Sequence, residues 1–350
     1  MNKKLLTAAL AATMLAGLGL TAGAEGETIG VAMPTQDLQR WNQDGENMKA
    51  QLEEKGYVVD LQYAGNDSAT QASQIENMIA NGDQLLVVAS IDGDSLGTVL
   101  AQAKEAGIPV IAYDRLIMNT DAVSYYATFD NYLVGKTQGE FLVDALDLEN
   151  QDGPFNIEMV TGDPGDNNVN FFFGGAMDVL QPYIDAGKLV VPSGQMTKDE
   201  VATLNWATDA AQSRFENILS SNYADGTTLH AVLASNDSTA LGVVNALAAN
   251  YTGEYPIITG QDCDIANVPH IVDGTQAMSV FKDTRALASK VVEMVDAIIT
   301  GAEVPVNDTE TYDNGTGVIP SFLCEPTAVT ADNYKEILID SGYYTEDQIQ

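Results

Sequence analysis

From residue 28 to residue 281 the chain alternates short, β-branched apolar runs with longer stretches of helical period. TIGVAM (28–33) precedes a helical stretch near 41–56, and YVVDLQY (57–63) precedes another near 68–81. LLVVAS (85–90) leads to 94–106, PVIAY (109–113) comes next, and SYYATFD (124–130) leads to 131–147. The rhythm resumes with FNIEMVTG (155–162), KLVVP (188–192), HAVLAS (230–235), PIITG (256–260) and QAMSVF (276–281). Strand–helix alternation of this kind predicts right-handed βαβ units and mainly parallel sheets covered on both faces. The strands are too many for one compact doubly wound sheet, so the α/β chain divides naturally into two such lobes.

An internal echo supports the division. VVASIDGDSLGTVLA (87–101) and VLASNDSTALGVVNA (232–246) align without a gap, pairing Ser90 with Ser235, Asp92 with Asp237 and Gly97 with Gly242. The strand after each ends alike, in AYD at Asp114 and in GQD at Asp262. Similar burial demands on two βα units produce some likeness, but the shared A-S-x-D turn and terminal Asp indicate related lobes. In open parallel sheets, ligands bind beyond the carboxyl ends of the strands. Two lobes facing each other across such ends would bring Asp114–Arg115, Asn236–Asp237 and Asp262 to one cleft.

The first residues stand apart from this pattern. MNKKLLTAALAATMLAGLGLTAGA carries Lys3 and Lys4, an apolar stretch, and then the small-residue run Ala22-Gly23-Ala24. It reads as a secretory signal peptide (1–24) cleaved near Ala24, with no cysteine for a lipid anchor and no later segment able to span a bilayer. The expectation is an exported, periplasmic protein. Without the two signal lysines, 13 basic side chains face 50 acidic ones, a net charge of −37. So negative a surface repels nucleic-acid phosphates and anionic membrane, which excludes both as partners. Cys263 and Cys324 are the only cysteines. They read equally as a disulfide or as two free thiols, and never as a disulfide scaffold.

Nothing in the chain is organised for catalysis. His230 and His270 lack metal-ligand spacing, and no H-E-x-x-H, G-x-S-x-G, P-loop or CxxC pattern is present. No cofactor and no metal are expected.

The strand ends carry a different inventory. Arg40 and Trp41 open a helix after the first strand, and Trp41 either packs on the sheet or offers its face to a sugar ring. GDPGDNNVNFFFGGAM (162–177) supplies Asn167, Asn168 and Phe172 at a turn entering a helix, where capping accounts for one Asn but not two. LNWATDAA (204–211) sets Trp206 at another loop-to-helix junction, and VFKDTR (280–285) ends a strand on Lys282. Arg40, Asp114, Arg115, Asn168, Asn236, Asp262 and Lys282, with two indoles and no nucleophile, suit a hydroxyl-rich ligand. Each hydroxyl donates to a carboxylate or amide oxygen and accepts from Arg, Lys or an amide nitrogen.

In their order, GVAMPTQDLQRW, SQIENMIANG, LVVASIDG, VIAYDRLI, SYYATFDNYLVG, GPFNIEMVTGDPGDNN, SGQM, ASNDSTALG, TGQDCD and VFKDTR resemble the periplasmic xylose- and multiple-monosaccharide-binding proteins of ABC importers. The likeness runs over essentially the whole mature chain. It implies a type I periplasmic binding protein of two doubly wound lobes joined by a three-segment hinge. The crossings would lie near 131, 263 and 307, giving an N-terminal lobe of 25–131 and 264–307 and a C-terminal lobe of 132–263 and 308–350. The resemblance further implies a monomer that holds an aldopyranose between the lobes through Arg40, Trp41, Asp114, Arg115, Asn168, Trp206, Asn236, Asp262 and Lys282. Asn167, Phe172 and Asp237 are further candidate sugar-binding residues. Arg115 would donate to the sugar while holding Asp114. Closure would be read by a membrane permease and, in some relatives, by a chemoreceptor or sensor kinase. Cys263, beside Asp262, departs from the pattern. The rivals are a receptor of the same fold for a furanose or signalling ligand, a sugar-responsive transcription regulator, and a secreted glycosidase. The regulator is disfavoured by the leader, the acidic charge and the lack of a basic helix-turn-helix segment, and the glycosidase would need two carboxylates about 5–10 Å apart around the scissile bond.

Overall fold

A computed structural model describes residues 26–349; the leader and its cleavage point lie outside the described residues. The apolar runs form strands where the alternation places them. β1 (Thr28–Met33), β2 (Val58–Tyr63), β3 (Leu85–Val88), β4 (Val110–Tyr113) and β5 (Tyr125–Phe129) pair in parallel in the order β5-β4-β3-β1-β2. The connecting helices are α1 (Gln39–Glu54), α2 (Ser68–Asn81) and α3 (Gly97–Glu105). Local chemistry sets their ends: Asp67 accepts a hydrogen bond from the Thr70 amide at the start of α2, and Gly82, at φ 86°, closes it.

The second layer repeats the plan. After α4 (Asn131–Ala145), strands β6 (Phe155–Val160), β7 (Leu189–Val190), β8 (Ala231–Ala234) and β9 (Ile257–Ile258) pair in parallel in the order β7-β6-β8-β9. A parallel bridge from Gln261 to Val280 adds β10 (Ser279–Phe281) beside β9. Helices α5 (Asn168–Asp185), α6 (Thr208–Asn222), α7 (Asp237–Asn250) and α8 (Val268–Asp273) complete it. β7, β6, β8, β9 and β10 thus match β2, β1, β3, β4 and β5 in turn. The echoed segments occupy equivalent positions, β3 into α3 and β8 into α7. Each sheet is buried on both faces, with Ile29, Val31, Met33 and Val87 on one side of the first and Leu86, Val88, Val110 and Ala112 on the other.

The pairing corrects the expected crossings. α4 packs against α5, so the first passage between layers follows β5, close to residue 131. β10 belongs to the second sheet, and the chain returns only through Lys282 and Asp283 into α9 (Thr284–Thr300), which packs on α1. β11 (Ser321–Cys324) then pairs in parallel with β5, and β12 (Thr327–Val329) pairs antiparallel with β10. Residues 264–281 therefore lie in the second layer and 308–324 in the first, with the last passage between Cys324 and Thr327. The physical reason is that each lobe takes its edge strand from the distant C-terminal segment. SFLC and TAV are too short to register in the strand–helix rhythm. The Gly135 and Gly175 positions let α4 and α5 approach until a Cβ on either would strike the other helix's backbone.

Candidate functional site

The residues marked at the strand ends converge between the layers. A cavity of about 380 Å3, counted to its mouth, is lined by Leu38, Arg40 and Trp41 at the start of α1, and by Asp114 and Arg115 after β4. The second layer contributes Asp166, Asn168 and Phe172 around the start of α5, Trp206 before α6, and Asn236 before α7. Gln261, Asp262 and Asp264 after β9, and Lys282 after β10, complete the wall. Every parallel strand of the two layers that contributes does so from its carboxyl end, as the topology requires.

The two echoed aspartates share an unusual backbone. Asp114 has φ 59° and Asp262 φ 92°, both in the left-handed region. A non-glycine residue stays there only when its surroundings over-determine it, and such strain concentrates at ligand sites. The turn drives both carboxylates back towards the cavity instead of along the strand.

Charge is organised around Arg40. Its Nη2 lies 2.9 Å from Asp114 Oδ2 and 3.0 Å from Asp44 Oδ2, and its Nη1 lies 3.5 Å from Asp262 Oδ1. Arg115 does not hold Asp114. Its Nη1 donates to the Ser90 carbonyl, 3.1 Å away, and its Nε lies 3.0 Å from Asp166 Oδ2. Thus Arg40 holds Asp114, while Arg115 ties the first layer to the second. Lys282 Nζ stands 3.0 Å from Asp262 Oδ1. Burial works to raise the Asp114 carboxyl, but Arg40, Lys282 and Arg115 outweigh it and keep it below its usual range. Burial wins at Asp166, which is raised despite Arg115, and at Asp44, pushed up to about 6 despite Arg40.

The aromatic groups divide in role. Both guanidiniums lie over the Trp41 ring, with Arg40 Cζ 4.5 Å and Arg115 Cζ 4.9 Å from its centroid. Trp41 therefore braces the two cations by cation–π contact, where the sequence allowed either a packing role or a sugar platform. Trp206 stands against Phe172, 6.1 Å between centroids at 72°, and its Nε1 donates to Asp166 at 3.3 Å. Gly162 sits behind the indole, where any Cβ would collide with it.

Asn168 joins the layers, accepting from Tyr126 Oη at 3.0 Å and donating to the Asp114 carbonyl at 2.8 Å. Asn236 caps α7, accepting the Thr239 amide at 3.0 Å, and still reaches the cavity wall. Two marked residues are not at the wall. Asn167 holds the N-cap position of α5 without a side-chain capping bond, and its carbonyl accepts from Asn170. Asp237 is wholly buried behind the site, accepting from Gln276, Ser279 and the Asp264 amide. Both sit one residue from a lining position, where helical geometry turns successive side chains in different directions. Asp166, Gln261 and Asp264 line the cavity although sequence reasoning missed them; the D-N-N and Q-D-C-D contexts carried the only signal.

Cys263 and Cys324 are free, so the disulfide reading fails. Cys263 is fully buried at φ 52°, its amide donating to Ser279 Oγ and its carbonyl accepting from Tyr344 Oη. His230 accepts the Asn156 amide and His270 meets Thr275; neither lines the cavity.

Ten buried side-chain polar atoms among the described residues have no hydrogen-bond partner, and four belong to this wall: Trp41 Nε1, Arg115 Nε, Gln261 Oε1 and Asp262 Oδ1. The last three-ångström contacts of Arg115 Nε and Asp262 Oδ1 are ion pairs by distance, but donor and acceptor directions miss. An unpaired buried polar atom costs about 1–3 kcal/mol, and these four, two donors and two acceptors, all belong to residues that line the cavity.

Known proteins carry the same architecture. A chain from Azospirillum brasilense described as "Multiple sugar-binding periplasmic protein SbpA" is 49% identical over 95% of this chain and 94% of its own. The "Multiple sugar-binding periplasmic receptor ChvE" of Rhizobium radiobacter is 48% identical over 99% and 98%. An ABC transporter solute binding protein from Clostridium phytofermentans, solved with bound β-D-glucose, superposes with a TM-score of 0.92 at 68% identity, covering 93% of this chain and all of that one. Residues 29–303 match the family model described as "Periplasmic binding protein domain". Two repeated doubly wound layers, a polar cavity at their facing strand ends and these likenesses agree: the chain belongs to the periplasmic binding protein family, with the type I fold.

Proposed function

We propose that this protein captures an aldopyranose monosaccharide between its two layers and delivers it to a membrane ABC permease. The observation that carries the reading is the wall itself. Three cations and four carboxylates surround the cavity, and four of its lining residues carry a buried polar atom with no hydrogen-bond partner. Asp114 and Asp262 accept from hydroxyls, Arg40, Arg115 and Lys282 donate to ring or hydroxyl oxygens, and Trp206 with Phe172 covers an apolar C–H face. Unpaired groups on a wrong ligand cost about 1–3 kcal/mol each, which makes the site selective. The glucose-bound relative and the two sugar-binding relatives support this substrate class.

The passages after β5, at Lys282–Asp283 and between β11 and β12 serve as hinges. Sugar contacts from both layers favour the closed form, and a permease that reads closure is engaged only when cargo is bound. The protein does no chemistry on the sugar, takes no cofactor, works as a monomer, and acts after export and loss of residues 1–24.

Thermal melting of the refolded, sugar-free mature protein with glucose, xylose, galactose, arabinose, fucose and ribose tests the reading. A ligand at 100 times its Kd adds about 2.7 kcal/mol, so several aldopyranoses should each raise the melting point by a few degrees. Shifts with ribose alone would move the furanose receptor ahead, and no shift with any sugar would overturn the ligand assignment.

A further inference from the structure

Every charged group on the cavity wall has an ion-pair partner except one. Arg40 faces Asp44, Asp114 and Asp262; Arg115 faces Asp166; Lys282 faces Asp262. Asp264 lines the same cavity with no salt bridge and no side-chain hydrogen bond among the described residues. The wall therefore holds four carboxylates against three cations, and Asp264 is the one in excess.

Its position is fixed from behind. The Asp264 amide donates to Asp237 Oδ2 at 2.9 Å, and its carbonyl accepts the Asn267 and Val268 amides at 2.8 and 3.0 Å. The next amide, Ile265, donates to Gln39 Oε1 at 2.9 Å, so the turn is also tied to α1 of the other layer. Its main chain is held on both sides, and the half-buried residue lines the cavity.

The groups around it come from four directions. Asp262 precedes it in the turn, Asp237 stands behind at the start of α7, and Arg40 and Lys282 face it from α1 and the end of β10. Cys263 and Tyr344 feel its charge from the buried side. The nearest cations are already engaged by other carboxylates, so they compensate Asp264 incompletely.

We propose that Asp264 is a further ligand-contact residue whose carboxylate accepts a hydrogen bond from a sugar hydroxyl, so that binding a neutral sugar releases a proton from the site. The reasoning is linkage. Burial, and then Asp262, push the free carboxyl above the ordinary carboxylate range, so it holds its proton to higher pH than an exposed carboxyl does. A hydroxyl that donates to the ionised form favours that form, and the proton leaves as the sugar arrives. The inference rests on the sugar-binding reading and adds to it a residue and a pH dependence.

Isothermal titration of the mature protein with D-glucose, in two buffers of different ionisation enthalpy, reads the proton directly. At pH 7 the buffer-dependent heat should report a net release of protons on sugar binding, and at pH 9 none. Affinity should rise from pH 6 to pH 8. Asp264→Asn should bind glucose with a buffer-independent heat and a flat pH profile; Asp264→Ser serves if the amide variant does not fold. Buffer-independent heat in the wild-type protein at pH 7, or undiminished release in the variants, would overturn the proposal. Absence of any heat with glucose, xylose, galactose or arabinose at both pH values would instead remove the sugar-binding reading beneath it.

Discussion

Replacing Arg40 by methionine, which keeps the length of the side chain and removes its charge, probes the centre of the site. Arg40 is 7% exposed and serves three carboxylates, of which Asp44 is fully buried and Asp114 is 3% exposed. Removing one member of a buried ion pair costs about 3–5 kcal/mol because a charge is left without compensation. At roughly 2 °C per kcal/mol for a chain of this size, the sugar-free protein should melt about 6–10 °C lower at pH 8. The loss should shrink in acid, and the sign follows from Asp44. Its folded carboxyl sits at about 6 even beside Arg40, above the ordinary value. A carboxyl raised on folding contributes stability that is fully present below the unfolded pKa and is lost as pH rises through the folded one. Without Arg40 the Asp44 carboxyl moves higher still, so at pH 5 it is protonated instead of remaining a bare charge, while Asp114 loses the strongest of the charges that hold it down. Calorimetry of Arg40→Met and wild type at pH 5 and pH 8 checks this, with Arg40→Lys expected between them at pH 8. A variant that melts with wild type at pH 8, or whose deficit is the same at both pH values, would refute the reasoning.

Gly162→Ala should drive the Trp206 indole out of its place, because the new methyl group occupies the ring's position. Glucose affinity by titration should fall at least roughly tenfold, about 1.4 kcal/mol; unchanged affinity would show that the indole is not part of the ligand wall. Asn168→Ala removes two hydrogen bonds between layers, from Tyr126 Oη and to the Asp114 carbonyl. With about 1–3 kcal/mol at stake, stopped-flow tryptophan fluorescence should find the sugar leaving faster by roughly one to two orders of magnitude. A wild-type off-rate would mean that the closed state does not depend on this clamp.

Strand periodicity was legible because both sheets are parallel and covered on both faces, so their strands read as continuous apolar runs. β1 and α2 fall at the expected residues, and β3, β8 and their following helices were visible as an internal echo. β11 and β12 were not: four- and three-residue edge strands make little of their own signal, and their pairing depends on neighbours more than 40 residues away in sequence. That is why two of the three passages between layers fell elsewhere than expected. Among the residues that line the cavity, Arg40, Asp114, Asp262, Asn168 and Lys282 were marked by their place at strand ends. Asp166 and Asp264 escaped because their neighbours Asn167, Asn168 and Asp262 drew the inference, and one residue's shift around a turn reverses which side chain meets the cavity.

The sequence by itself determined that there would be two doubly wound layers, and that charged and amide groups at their strand ends would share one cleft. Both follow from local periodicity, which each segment carries alone. Only the tertiary structure decided who holds whom: Arg40 and not Arg115 pairs with Asp114, Trp41 braces two cations, and Asp237 lies behind the wall. Hydrogen bonds and ion pairs act over about 3 Å, a scale at which left-handed turns at Asp114 and Asp262 and the meeting of two separate layers set the outcome.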